Sequence, residues 1–144
     1  MKTFVIAKVL VVNEAGEVLS LVRSKTDIRR PGELDFPGGM VDPGEEMSAA
    51  AIRETSEEAG LSLSSVQLIF GLSDLTEYGS GTWLVFAAHV PGTPVITLSH
   101  EHDAYEWMQP EELFNRLTYD RQRKMLRYAI DNDLLRQEQS TSES

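Results

Sequence analysis

The sequence predicts an α/β domain, in the wider α+β sense, with helices packed on a mixed β-sheet, and three observations predict it. The chain opens with two β-branched, apolar runs joined by a turn. It then carries two long helical segments separated by further strand runs. Its 144 residues, 41% of them hydrophobic, suffice for one core, with roughly two-thirds of the unfolded surface buried. Residues 1–136 are expected to form a single domain and 137–144 a disordered tail.

Thr3 to Val12 has the β-branched content of a strand, Asn13-Glu14-Ala15-Gly16 has the composition of a turn, and Glu17 to Arg23 returns as the second arm of a hairpin. Val18, Leu19, Leu21 and Val22 are apolar almost throughout, which predicts burial on both faces in the middle of a sheet. A loop of about a dozen residues follows, punctuated by Pro31-Gly32 and Pro37-Gly38-Gly39, and that length favours a functional loop. After the turn Asp42-Pro43-Gly44, Met47 to Ala59 forms a helix that Gly60 stops in the left-handed conformation. Ala49, Ala50 and Ala51 suit close approach of that helix to a sheet.

Val66 to Tyr78 and Thr82 to Val90 are long strands with Gly79-Ser80-Gly81 as their turn. His89, inside the second of them, is expected in the core. Beyond Pro91-Gly92-Thr93-Pro94, Val95 to Leu98 and Tyr105 to Met108 are short strands. Pro110 opens a short helix through Leu113 and Phe114, and Tyr119 to Leu135 forms a second long amphipathic helix.

Composition narrows the function. The apolar stretch at the start is too short for a signal peptide and no run is long enough to cross a bilayer, so the expected location is cytoplasmic, with no membrane partner. The absence of cysteine removes thiolate catalysis and thiolate metal sites, leaving carboxylates and three histidines as the strong metal ligands. A formal charge of −10 argues against binding a nucleic acid polymer. A small phosphorylated molecule remains compatible, because Arg23 to Arg30 carries four cations and one acid. Guanidinium groups suit bidentate oxyanion contacts, which makes Arg23, Arg29 and Arg30 the candidate phosphate-binding residues.

The most informative stretch runs from Gly39 to Leu61. It puts Glu54, Glu57 and Glu58 on one face of the first helix, where carboxylates three and four residues apart repel one another. Glu57 and Glu58 also lie near the negative end of the helix dipole. Stability alone would not select that arrangement. A divalent cation with oxygen ligands, Mg²⁺ first and Mn²⁺ as a substitute, would reverse both penalties.

The spacing is Gly39, five residues, Glu45, seven residues, then Arg53-Glu54-Thr55-Ser56-Glu57-Glu58-Ala59-Gly60-Leu61. It resembles the signature of the Nudix hydrolases at Gly39, Glu45, Arg53, Glu54, Glu57, Glu58, Gly60 and Leu61. Thr55 departs, standing where a bulky aliphatic residue is usual. The resemblance implies an α-β-α sandwich around a mixed sheet. It also implies metal binding by Glu54, Glu57 and Glu58, with the Gly39 carbonyl as a further ligand and Arg53 orienting a catalytic carboxylate through a salt bridge. Glu45 precedes the helix and is a weaker ligand candidate, with fixing the loop as its other role.

Cleaving a phosphoric anhydride needs charge neutralisation on the phosphoryl oxygens and a positioned water, and carboxylate-held Mg²⁺ supplies both without a covalent intermediate. Nudix enzymes that this chain resembles place the general base in the motif or in a later loop. Glu54 is the first choice here and Glu101, in His100-Glu101-His102-Asp103, the second. His100 and His102 are expected as polar loop or substrate contacts ahead of a transition-metal pair. The substrate that the resemblance implies is a nucleoside diphosphate linked to a moiety X. Phe36, Tyr78, Trp83 and Tyr105 are stacking candidates, each equally a core residue, and Gly38 joins the substrate-binding set.

Arg23-Ser24 and Gly32 to Gly39 partly resemble the extra motif of coenzyme A diphosphatases, although Ile28 stands where that motif has arginine, with Arg29 next to it. A coenzyme A or ADP-ribose diphosphatase is therefore one alternative. A non-catalytic nucleotide-binding sensor is another, disfavoured because every charged position of the motif is kept. Composition leaves monomer and homodimer open.

Overall fold

β1 (Thr3–Val12) runs through the middle of the sheet, and its neighbours change along its length. The structure, a computed structural model, describes residues 1–136, so the tail expected at 137–144 lies outside the described residues. After the Asn13 turn, β2 (Val18–Arg23) pairs with β1 only at Val12↔Val18 and then parts from it. β4 (Gly38–Met40) takes over that edge of β1, with Ala7↔Gly39 and Lys8↔Gly38 in register. β2 instead pairs with β3 (Leu34–Asp35) and with β7 (His102–Met108), both antiparallel. Strands as short as β3 and β4 leave no two-residue period in the sequence, which is why the segment looked like continuous loop.

On the other side β1 lies parallel to β6 (Gly79–His89), which pairs antiparallel with the edge strand β5 (Gln67–Thr76). The sheet is mixed, and the pleat of β1 divides the core. Ala7, Val9 and Val11 face α1 (Met47–Ala59) through Ala50 and Ala51, all fully buried. Leu10 and Val12 face the other layer, α2 (Pro110–Arg116) and α3 (Asp120–Asp131), through Leu113, Met125 and Leu126. This is the helix-sheet-helix sandwich that was expected, with α1 brought close to the sheet by its alanines.

Four expectations are corrected. Val95 to Leu98 is not a strand, because its backbone binds the end of α1, with Thr97 N–H donating to Ala59 O at 3.0 Å. The β5–β6 turn falls at Glu77-Tyr78, since Thr76 Oγ1 accepts from Tyr78 N–H at 3.0 Å and donates to Gly79 O at 3.0 Å. The last helix ends at Asp131 rather than Leu135. His89 is exposed at the end of β6 instead of packed in the core. Among the described residues no helix is long and apolar enough to cross a membrane.

Where β1 and β2 part, a polar hub fills the gap. Asp35, 1% exposed, receives Lys8 Nζ at 3.1 Å, Arg23 Nη1 at 2.8 Å and Arg30 Nη2 at 3.2 Å on one oxygen. Its other oxygen accepts Gln122 Nε2 and the Phe36 N–H, each at 2.8 Å. Burial works to raise the Asp35 carboxyl, but Lys8, Arg30 and Arg23 outweigh it and hold it below the usual carboxylate range. The hub joins β1, β2, β3 and α3. Asp35→Asn leaves Lys8 and Arg30 without their anion and Arg23 with Asp27 alone, and is expected to destabilise the fold by about 3–5 kcal/mol in urea unfolding. This contribution is fully present above about pH 4, the unfolded carboxylate value, and is lost as pH falls through the depressed folded value.

Candidate active site

Gly60 ends α1 with φ 69°, its N–H donating to Ser56 O at 3.0 Å, so the helix stops directly after its glutamates. Thr55, the residue that departs from the motif, is fully buried, and its hydroxyl donates to Ala51 O at 2.8 Å. The small side chain is thereby satisfied inside the helix layer and the packing is intact.

Glu58 points inward. It is 7% exposed, and its Oε1 accepts the Gly38 N–H at 2.7 Å, which joins the end of α1 to β4. Burial pushes the Glu58 carboxyl up to about 8; Lys8 and the Gly38 N–H work against this, while Glu101 and Asp35 add to it. Glu54 lies flat against the next residue of β4. A Cβ on Gly39 would come within 2.7 Å of its carboxylate oxygens, so a side chain there would expel it. Burial raises the Glu54 carboxyl too, opposed by Arg53 and assisted by Glu57 and Glu101.

Arg53 organises the flank of this face. Its Nε donates to Glu45 Oε2 at 2.8 Å, Nη2 to Glu45 Oε1 at 3.0 Å, Nη1 to Glu54 Oε1 at 3.1 Å, and Nη1 to Glu57 at 3.3 Å. It also reaches Met40 O at 3.2 Å. Glu45 additionally accepts the Asp42 N–H at 3.0 Å, so both of its oxygens are engaged. These bonds hold the loop before α1, the loop-fixing role expected of Glu45 beside its ligand candidacy. Glu57 is the exposed member of the set, tethered by Arg53.

The second expected base comes from a distant loop. Ser99 N–H donates to Glu58 O at 3.4 Å and Ser24 N–H to Glu101 O at 2.9 Å, and these bonds carry residues 99–102 to the end of α1. Glu58, Glu101 and His102 each place one ligand atom within 4.8 Å of the others. His100 is exposed and His102 buried, and of the two His102 belongs to this cluster.

Several substrate-binding expectations change. Phe36 is fully buried in the layer under α3, which leaves it no face for a ligand. Gly38 has its N–H committed to Glu58. Arg23 and Arg30 are committed to Asp35, so of the three arginines only Arg29 makes no ion pair among the described residues; it lies 4.7 Å over the Tyr78 ring. Tyr78 is 53% exposed, while Trp83 is buried beneath Arg121. Arg23, Arg29, Glu101 and His102 line a cavity of about 380 Å³. Lys8 and Asp35 were missed. The signal for Lys8 was available, since one lysine inside the apolar run Phe4 to Val12 must find a buried partner.

The fold is a helix-sheet-helix sandwich that gathers carboxylates from a glycine-flanked helix and a distant loop. The sequence matches the family model of the NUDIX domain over residues 2–129, and the chain belongs to that family. The asymmetrical bis(5'-nucleosyl)-tetraphosphatase of Mus musculus is 40% identical over 81 residues, 53% of this chain and 55% of that protein. The chain thus spans about half the length of that relative. The CTP pyrophosphohydrolase of Escherichia coli (strain K12) is 29% identical over 102 residues, 71% of this chain and 73% of that protein. The solved structure of a C. elegans Ap4A hydrolase binary complex matches with TM-score 0.76 at 27% identity, covering 91% of this chain and 97% of that one.

A carboxyl raised in the folded state opposes folding at higher pH, because the folded chain holds a proton that the unfolded chain has released. In chelator, stability is therefore expected to fall as pH rises from the unfolded value near 4.5 through about 8. Glu58→Gln keeps an oxygen for the Gly38 N–H and removes the titration. By calorimetry it should gain on the order of 1–3 kcal/mol, several degrees in Tm, over the metal-free parent at pH 8 and nothing at pH 4.

Proposed function

We propose that this chain hydrolyses a phosphoric anhydride bond in a nucleoside polyphosphate, using Mg²⁺, or Mn²⁺ in its place, and that a dinucleoside tetraphosphate is the substrate to try first. The observation that carries the reading is the meeting of Glu54 and Glu58, from one helix, with Glu101, from a loop far along the chain, beside Gly39. The two relatives named for tetraphosphate or Ap4A hydrolysis support the choice of substrate.

The donor set fits a hard cation, being carboxylate oxygens, and the elevated Glu58 carboxyl is a penalty that bound positive charge would relieve. Glu54, Glu57, Glu58 and Gly39 would hold the ion, which would neutralise phosphoryl oxygens and acidify water. Glu54 takes the proton from the attacking water, with Glu101 as the second candidate base. Arg53 fixes the orientation of Glu54 and Glu57. Arg29 contacts an outer phosphate from the rim of the cavity that it shares with Glu101, and Tyr78 beside it offers a face to a base. The new bond joins water oxygen to phosphorus, the bridging P–O bond breaks, and the nucleotide leaves.

Chromatographic product analysis over dinucleoside polyphosphates, nucleoside triphosphates, ADP-ribose, nucleotide sugars and coenzyme A tests this reading. Mg²⁺-dependent cleavage of a dinucleoside tetraphosphate is the expected result; nucleotide binding without turnover would favour a sensor instead. Glu54→Gln should lower kcat about 10²-fold or more with KM little changed. Arg29→Ala should raise KM and leave kcat near that of the parent.

A further inference from the structure

We propose that His102, together with Glu58 and Glu101, forms a mixed nitrogen and oxygen metal site that takes a first-row transition ion such as Mn²⁺ or Co²⁺ in preference to Mg²⁺. The proposal shares Glu58 and Glu101 with the function proposed above but depends on a different property, the nitrogen ligand. His102 is 6% exposed, and its Nδ1 is buried without a hydrogen-bond partner among the described residues. Buried polar atoms are nearly always satisfied, and an unpaired ring nitrogen on a residue grouped with two carboxylates points to a ligand that completes it.

The chemistry of the set agrees. One atom each of Glu58, Glu101 and His102 lies within 4.8 Å of the other two. Metal bonds of about 2.1 Å require a tighter cluster than that. Glu101 is exposed, so its side chain can rotate inward, while Glu58 and His102 are fixed by burial. Mg²⁺ prefers a full oxygen shell and parts reluctantly with its waters, whereas first-row transition ions accept an imidazole nitrogen more readily, Mn²⁺ modestly and Co²⁺ more strongly. Glu101 and His102 also line the cavity of about 380 Å³, beside His100, Ser24, Arg23 and Arg29. Lys8 and Arg23 face the same region and disfavour a cation there, which two carboxylates together offset.

Pulsed EPR of the full chain loaded with Mn²⁺ alone tests the nitrogen directly. The expected spectrum shows ¹⁴N coupling that is lost in His102→Gln and kept in His100→Gln. Calorimetric titrations should show the ratio of Mn²⁺ to Mg²⁺ affinity falling about 10-fold or more in His102→Gln, the scale on which even outer-shell metal partners act. An unchanged Mg²⁺ affinity in that variant would show that it folds. Absence of Mn²⁺ binding, bound Mn²⁺ without nitrogen coupling, or coupling that persists in His102→Gln would overturn the proposal. Mg²⁺-dependent hydrolysis by the unaltered chain is assayed on the same preparation, so the hydrolase reading can stand or fall separately.

Discussion

The hydrogen bond from the Gly38 N–H to the buried Glu58 carboxylate is the contact on which the candidate site depends. It joins the end of α1 to β4, and β4 in turn is stitched to β1 through Ala7↔Gly39 and Lys8↔Gly38. Gly39 then has to lack a side chain, because Glu54 occupies the space a Cβ would need. Two adjacent glycines thus serve two glutamates one helical turn apart. A carboxylate taken out of water costs several kcal/mol unless it is paired, and a single backbone donor repays only part of that. The strain is stored where a cation would release it.

Two opposed charge systems share Lys8 as a neighbour. On one side Asp35 is a single anion surrounded by three cations, and it locks β1, β2, β3 and α3 together. On the other side several carboxylates gather at the end of α1 with Arg53 as the principal organiser. The first system is complete without a ligand, so Arg23 and Arg30 spend their charge on structure. The second carries surplus negative charge. Arg29, adjacent in sequence to Arg30, lines the cavity and makes no ion pair among the described residues.

Much of this was legible in the sequence where the signal was periodic or chemical. β1, α1 and the Gly60 stop followed from β-branched content, helical spacing and a left-handed terminator. The glutamate set was legible because it opposes helix electrostatics. The split between β1 and β2 was not legible, since it rests on two strands of two and three residues that only tertiary pairing defines. The burial of Phe36, which lies between β3 and β4, was illegible for the same cause. His102 could not be placed beside Glu58, because the bonds that bring them together run through the irregular segment bound to the end of α1. Glu45 was a ligand candidate by spacing alone, and its hold on the loop shows only in the fork of Arg53.

The central claim is that the inward face of α1, closed by β4 and the Glu101 loop, is where a divalent ion sits. The most direct measurement is anomalous X-ray diffraction from crystals of the protein soaked in Mn²⁺. The account predicts a principal anomalous peak on this face, within bonding reach of Glu58 and of at least one of Glu54, Glu57 and Glu101. A principal peak elsewhere on the acidic surface, with this cluster empty at millimolar Mn²⁺, would contradict it.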